Sequence, residues 1–208
     1  MFECDAKLSA DGTLFLLHDA TLERTTSGRG IAGEQPWAAL SLLDAGLWHS
    51  RAFAGEPVPS LAAIASYAQR NGFALNIEIK PTPGSEVATG TAVAQFAAKA
   101  WANEATKPLL SSFEVAALEA AFAADPILPL GLLLKSLPAD WLALAHRLQC
   151  AAVIAQHALL DSNVIAAIHG AGMKAGCYTV NDEWEAARLK AAGIDFIITD
   201  RVDLFSPA

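Results

Sequence analysis

Two acidic residues, Glu3 and Asp5, stand at i and i+2 in the run FECDA near the start of the chain. On a strand, side chains two apart share one face. Two carboxylates on one face of an apolar strand repel each other and resist desolvation unless a cation lies between them. That pattern points to a hard divalent metal, magnesium or calcium, bound through oxygen. The plainer alternative is an exposed strand with both carboxylates solvated. The run LNIEIK repeats the spacing: Glu78 and Lys80 are again i and i+2, with Ile77 and Ile79 on the opposite face. Pro81 stops the strand just beyond them, so both fall at its C-terminal end. Glu78 is a candidate third metal ligand, and Lys80 a candidate point charge for a phosphate. An internal Glu78–Lys80 ion pair is the alternative. His18 closes the run LFLLHD, and its neighbour Asp19 points to the other face if the strand continues. A lone histidine there reads as structural, but beside three carboxylates and a lysine it becomes a candidate general acid or base. Ser112 and Phe113 end one further strand and Tyr178 lies late in another; they are candidate walls of a substrate pocket.

Positioning these groups requires strands, and the chain supplies short apolar runs at regular intervals. FECDA and LFLLHD are followed by 75–80, 109–113, 130–134, 152–156, 176–180 and 196–200. All are short and mostly apolar, as strands buried on both faces are. Helices with readable ends lie between them. One starts at Ser60 as N-cap and stops at Gly72; another starts at Asp161 or Ser162 and stops at Gly170; a third starts at Asn181 or Asp182 and stops at Gly193. This alternation implies parallel strands with helical crossovers, and a barrel of such units builds its active site at the C-terminal ends of its strands. Residues 25–59 break the rhythm with dense Gly, Pro and Trp, which predicts a structured loop with a short helix over 37–43. The link from Lys7 to Gly12 is too short for a parallel crossover. It predicts either a hairpin through the ADG turn or an extended return.

Composition narrows the function classes. The 208 residues are 53% hydrophobic and 17% charged, enough core for one α/β barrel. The formal net charge is −8, from 14 Lys+Arg against 22 Asp+Glu, which argues against a nucleic-acid partner. A local metal and lysine can still reverse the field inside one cleft and admit an anionic small molecule. Cys4, Cys150 and Cys177 have neither disulfide nor zinc spacing and read as buried thiols in a reducing compartment. The start MFECDAK lacks the pattern of a signal peptide, and the most apolar run, ILPLGLLL, is too short to span a bilayer. A cytoplasmic enzyme without a membrane span is the expectation.

Taken together, FECDAKLSADGTLFLLHDATLERTT, GEPVPSL, LNIEIKP, LLSSFE, YTVN and IITD resemble the glycerophosphodiester phosphodiesterases, the soluble cytoplasmic bacterial type above all. The resemblance runs through essentially the whole chain in order. It implies one phosphodiesterase domain over residues 1–208, a TIM (β/α)8 barrel of the phospholipase-C-like type carrying one divalent cation. It implies hydrolysis of glycerophosphodiesters to an alcohol and sn-glycerol 3-phosphate. Glu3, Asp5 and Glu78 match the family's metal ligands, His18 one of its two catalytic histidines, and Lys80 its phosphate-side lysine. The family mechanism uses a glycerol hydroxyl as internal nucleophile and passes through a cyclic phosphate.

The resemblance also sets a contrast. Family members open on a strand ending in His-Arg-Gly, then a Pro-Glu-Asn-Thr loop and a first helix; the sequence here starts at what matches the second strand. The expectation is an N-terminally truncated barrel with weak or no activity, one of whose eight strand assignments is peripheral. An open strand edge would favour self-association into a homo-oligomer. Two other readings stay open: a non-catalytic phosphodiester-binding barrel or fragment, and a barrel enzyme with Lys80 as a Schiff-base lysine. The carboxylate cluster argues against the last, because imine chemistry needs no metal.

Overall fold

The computed structural model describes residues 1–205 and divides into two compact units. The first comprises residues 1–110 and 114–128, the second residues 111–113 and 129 onward. In the first unit lie β1 (Phe2–Leu8), β2 (Leu14–Leu16), α1 (Trp37–Leu40), α2 (Leu61–Arg70), β3 (Leu75–Ile79) and α3 (Glu86–Ala100). It also holds the start of β4 (Leu109–Ser112) and all of α4 (Val115–Ala124). The second unit alternates β5 (Leu130–Leu134), α5 (Trp141–Arg147), β6 (Ala152–Gln156), α6 (Ser162–Gly170), β7 (Lys174–Tyr178), α7 (Glu183–Ala192) and β8 (Phe196–Ile197).

Strand order in the first unit is β2-β1-β3-β4, and in the second β5-β6-β7-β8. β1 pairs with β3 in parallel, and β5 with β6, β6 with β7 and β7 with β8 likewise. The expected β/α alternation is therefore the observed architecture. β3, β4 and β5 are buried along their whole length; β5 is accordingly a continuous apolar run, whereas β3 also buries Asn76 and Glu78 and β4 buries Ser111 and Ser112.

β2 is the peripheral strand. It returns antiparallel to β1, with Ala6, Lys7 and Leu8 opposite Leu16, Phe15 and Leu14. The hairpin alternative thus holds, and its turn explains why. Gly12 takes φ 84°, a left-handed conformation that a glycine adopts freely. The Ser9 hydroxyl donates to Asp11 Oδ1 and accepts from the Thr13 amide, closing the turn. β2 ends at Leu16, two residues short of His18.

The capping signals were sound for two helices. Ser60 accepts from the Ala63 amide at the start of α2, and Asp161 from the Val164 amide at the start of α6. α7 has Asp182 at its N-cap but no side-chain bond there; Asn181 instead accepts from the Thr199 hydroxyl and the Asp200 amide. Some strand ends shift by one to three residues. β7 begins at Lys174 rather than 176, and β8 stops at Ile197 rather than 200, where those bonds to Asn181 draw the chain away.

Residues 20–59 form an excursion whose Leu22, Ala32, Leu40 and Val58 share one small core with Phe15 of β2 and Leu17, with Trp37 and Leu43 packed against it. Asp44 staples it: Oδ1 accepts from the Gly46 and Leu47 amides and Oδ2 from the Gly55 amide. These bonds hold the Asp44 carboxyl below the usual carboxylate range.

α3 and α4 approach closely through small residues. A Cβ built on Gly90 would stand 2.3 Å from the Ala117 carbonyl oxygen. Backbone cannot give way as a flexible side chain can, so Gly90→Ala should destabilise the protein by about 1–3 kcal/mol. Gly170, at the end of α6, has nothing within 4 Å of such a Cβ. Gly170→Ala should be neutral or stabilising by up to about 1 kcal/mol, since alanine loses less chain entropy on folding. Thermal melts of the two variants test this packing; equal effects would contradict it.

Candidate metal centre

The site is built on one register. In the parallel β1–β3 pair, Glu3 lies beside Asn76 and Asp5 beside Glu78. Paired residues of parallel strands project to the same face, and alternation adds Lys7 to that face. The opposite face takes Phe2, Cys4 and Ala6 with Leu75, Ile77 and Ile79. One side of the two strands is thus apolar and the other carries the charges.

One ligand oxygen from each of Glu3, Asp5 and Glu78 lies within 4.8 Å of the others. The donor set is all oxygen and carries three formal negative charges, which fits a hard divalent cation and not a soft one. Lys80 sits between two of the carboxylates, with Nζ 2.9 Å from Asp5 Oδ1 and 3.1 Å from Glu78 Oε1. The structure therefore realises both sequence alternatives at once: the cluster forms, and the Glu78–Lys80 ion pair forms inside it. The Lys80 amide bonds to the Ala6 carbonyl, so β3 keeps its ladder to the residue before Pro81.

Burial and mutual repulsion strain this cluster. Glu78 is only 9% exposed. Burial and then the Asp5 charge push its pKa up, partly opposed by Lys80. Burial works against the Lys80 ammonium, but Asp5 and Glu78 outweigh it and its pKa stands above the ordinary value. Lys7 is 1% exposed and donates from Nζ to the Lys80 carbonyl at 3.0 Å. Burial, and then the Lys80 charge, lower its pKa to about 8. Burial raises the Cys4 thiol to about 12, so the cysteine between the two acids stays protonated.

His18 lies beyond β2 at the head of the excursion, with its side chain 61% exposed. Asp19 does not face away, as a continued strand would require. It turns back, and its Oδ1 stands 2.8 Å from His18 Nδ1. Arg24 donates to both oxygens of Asp19. Arg24 and then His18 pull the Asp19 carboxyl well below its usual range. An ionised carboxylate only accepts, so Nδ1 carries the proton and Nε2 is left for chemistry. A positive charge on His18 would favour the ionised form of Glu78.

Ser112, Phe113 and Tyr178 belong to the second unit. Ser112 is fully buried. Phe113 and Tyr178 meet edge to face at 5.5 Å, and the Tyr178 hydroxyl donates to the Leu134 carbonyl at 2.9 Å. Among the remaining histidines, His157 lies 2.7 Å from Glu185 and His169 lies 2.7 Å from Asp195, ties between neighbouring elements. Sequence reasoning did not single out Lys7 or Arg24, and its continued strand turned Asp19 away from His18. Lys7 could have been found by carrying the alternation of Glu3 and Asp5 one step further.

The raised Glu78 pKa has a defined consequence for stability. The folded state favours the protonated acid, so the benefit is full below the unfolded value of 4.5 and is lost as pH rises through the folded value. In chelator, Glu78→Gln should therefore melt above the unsubstituted protein at neutral pH, with the difference closing in acid. Magnesium or calcium should raise the melting temperature of the unsubstituted protein and not of the variant. Melting curves across pH, with and without cation, check both outcomes.

Comparison with known proteins gives this geometry a context. The profile of the glycerophosphoryl diester phosphodiesterase family matches residues 1–204. A glycerophosphodiester phosphodiesterase of Caldanaerobacter subterraneus subsp. tengcongensis is 30% identical over 95% of this chain and 81% of its own length. The structure of an Oleispira antarctica phosphodiesterase in complex with the product sn-glycerol-3-phosphate superimposes with a TM-score of 0.88. It is 32% identical, over 95% of this chain and 80% of that one. A glycerophosphodiester phosphodiesterase structure from Agrobacterium tumefaciens gives a TM-score of 0.80 at 26% identity, over 98% of this chain and 84% of that one. The fold is the TIM-barrel class of these enzymes, and the chain is a member of the glycerophosphoryl diester phosphodiesterase family.

Proposed function

We propose that this chain hydrolyses glycerophosphodiesters to an alcohol and sn-glycerol 3-phosphate, using one divalent cation held by Glu3, Asp5 and Glu78. The convergence of these three carboxylates on one face of β1 and β3 is the observation that carries the reading. Family membership supports the reaction, and the product complex of the Oleispira relative supports the substrate class. When bound, the cation, magnesium or calcium, would supply Lewis-acid polarisation of a phosphate oxygen.

The chain's own groups have separable roles. Glu3, Asp5 and Glu78 would hold the cation, whose charge would offset the burial and the Asp5 repulsion that raise the Glu78 pKa. Lys80, now paired to Asp5 and Glu78, is placed to exchange part of that pairing for a phosphate oxygen, as a compact point charge. His18 moves a proton at Nε2, while Asp19 fixes its tautomer through Nδ1 and Arg24 fixes Asp19. Ser112, Phe113 and Tyr178, in the second unit, are the proposed substrate-contacting residues. We place the protein in the cytoplasm: its three cysteines are free thiols, and among the described residues no helix is long and apolar enough to cross a membrane.

Release of sn-glycerol 3-phosphate from glycerophosphocholine and glycerophosphoethanolamine, with magnesium, calcium or chelator, tests the reading. Turnover should require the cation. His18→Ala should lower kcat by roughly 10²–10⁴-fold, the usual range for a general acid or base, with a smaller change in KM. Cation-independent turnover would remove the metal role. No turnover combined with retained binding of glycerol 3-phosphate would make the protein a phosphodiester-binding module.

A further inference from the structure

The three carboxylates and Lys80 do not account for Lys7. It follows Asp5 by two residues, so it shares the face of Glu3 and Asp5. It is shut between two strands, its backbone opposite Phe15 on β2, while the adjacent Ala6 is beside Ile79 on β3. A fully buried ammonium is costly unless its charge is matched. The groups acting on it are Asp5, Glu78 and Asp19, with Lys80 opposed. Asp19 is already matched by Arg24. What remains is one charged layer: Glu3, Asp5 and Glu78 against Lys7 and Lys80.

The charges of that layer have a simple consequence. Three carboxylates and two ammonium groups leave one net negative charge, which attracts a divalent cation. The loaded layer then carries one net positive charge, which attracts a phosphodiester monoanion and is neutral once the anion is bound. Without Lys7 the loaded layer would carry no net charge, and the anion would be drawn only by its direct contacts to the cation and Lys80. Because Lys7 is buried, its field is not screened by salt as a surface charge would be. Its bond to the Lys80 carbonyl also holds the backbone from which the Lys80 ammonium reaches the carboxylates.

We propose that Lys7 is a positioning and specificity-determining residue that weakens cation binding in order to make the loaded site selective for a monoanionic diester. The proposal rests on the phosphodiesterase reading for its substrate, but its charge argument stands on binding alone. A residue that merely supports the fold would weaken both ligands when removed. A charge-balancing residue must move them in opposite directions.

Two variants test it. Lys7→Met removes charge and donor at similar length, and Lys7→Gln keeps a donor for the Lys80 carbonyl without the charge. Magnesium is titrated calorimetrically into metal-free protein, and dimethyl phosphate, a monoanionic diester, is titrated into magnesium-loaded protein at neutral pH. The expected result is magnesium binding tighter by roughly a hundredfold and dimethyl phosphate binding weaker by roughly tenfold, because the lost unit charge acts on a dication twice as strongly as on a monoanion. In steady state, KM for glycerophosphodiester should rise more than kcat falls. Weakening of both ligands together, or no change in either, overturns the proposal. Should neither variant fold, the unsubstituted protein still decides: dimethyl phosphate must bind with magnesium and not in chelator, and equal binding in both overturns it. If the unsubstituted protein shows opposite-sign binding shifts in its variants but hydrolyses no glycerophosphodiester, the functional reading fails while the charge assignment stands.

Discussion

The register of β1 against β3 is the constraint on which the rest of the first unit depends. It sets Asp5 beside Glu78 and so forces like charges together on a largely buried face. Such a face is unfavourable unless cations are built into it, because a low-dielectric setting magnifies repulsion as much as attraction. The chain supplies two, Lys7 and Lys80, each two residues beyond a carboxylate on its own strand. A one-residue slip of either strand would turn that strand's own charged groups to the apolar side and break the layer.

Around that face the fold works to fix positions. The β1–β2 hairpin seals Lys7 and carries the chain toward His18. The excursion that follows shares an apolar cluster with β2 and has an aspartate that accepts three backbone amides, so His18 is anchored at the head of an ordered segment. Behind it, α3 and α4 pack through Gly90 and alanines at a distance that larger residues would forbid. The helices thereby hold the strand ends while the strand ends hold the charges, the division of labour general to β/α barrels.

Much of this was legible in the residues themselves. Alternation of side chains put Glu3 with Asp5 on one face of one strand and Glu78 with Lys80 on one face of another, since a strand offers only two faces. The buried runs of β3 to β6 and the caps Ser60 and Asp161 were equally readable, because local sterics and unsatisfied amides dictate them. His18 was less so. Its relation to Asp19 was read from a strand that ends at Leu16, and beyond that end alternation has no force. Lys7 was overlooked for a different reason: a lysine near the end of a strand normally extends to water, and here pairing with β2 and the bond to the Lys80 carbonyl hold it in.

The sequence by itself determined the periodicities: which residues alternate, where helices begin, and which charged groups must share a face. These follow from the geometry of one strand or one turn of helix and need no knowledge of what packs nearby. The tertiary structure decided the pairings. It chose a hairpin over a crossover between β1 and β2, placed Lys80 between Asp5 and Glu78, turned Asp19 back onto His18, and enclosed Lys7. Each of these depends on contacts between residues far apart in the chain, or on where a strand stops, and the energies involved come from burial and Coulomb attraction that exist only once the strands have assembled.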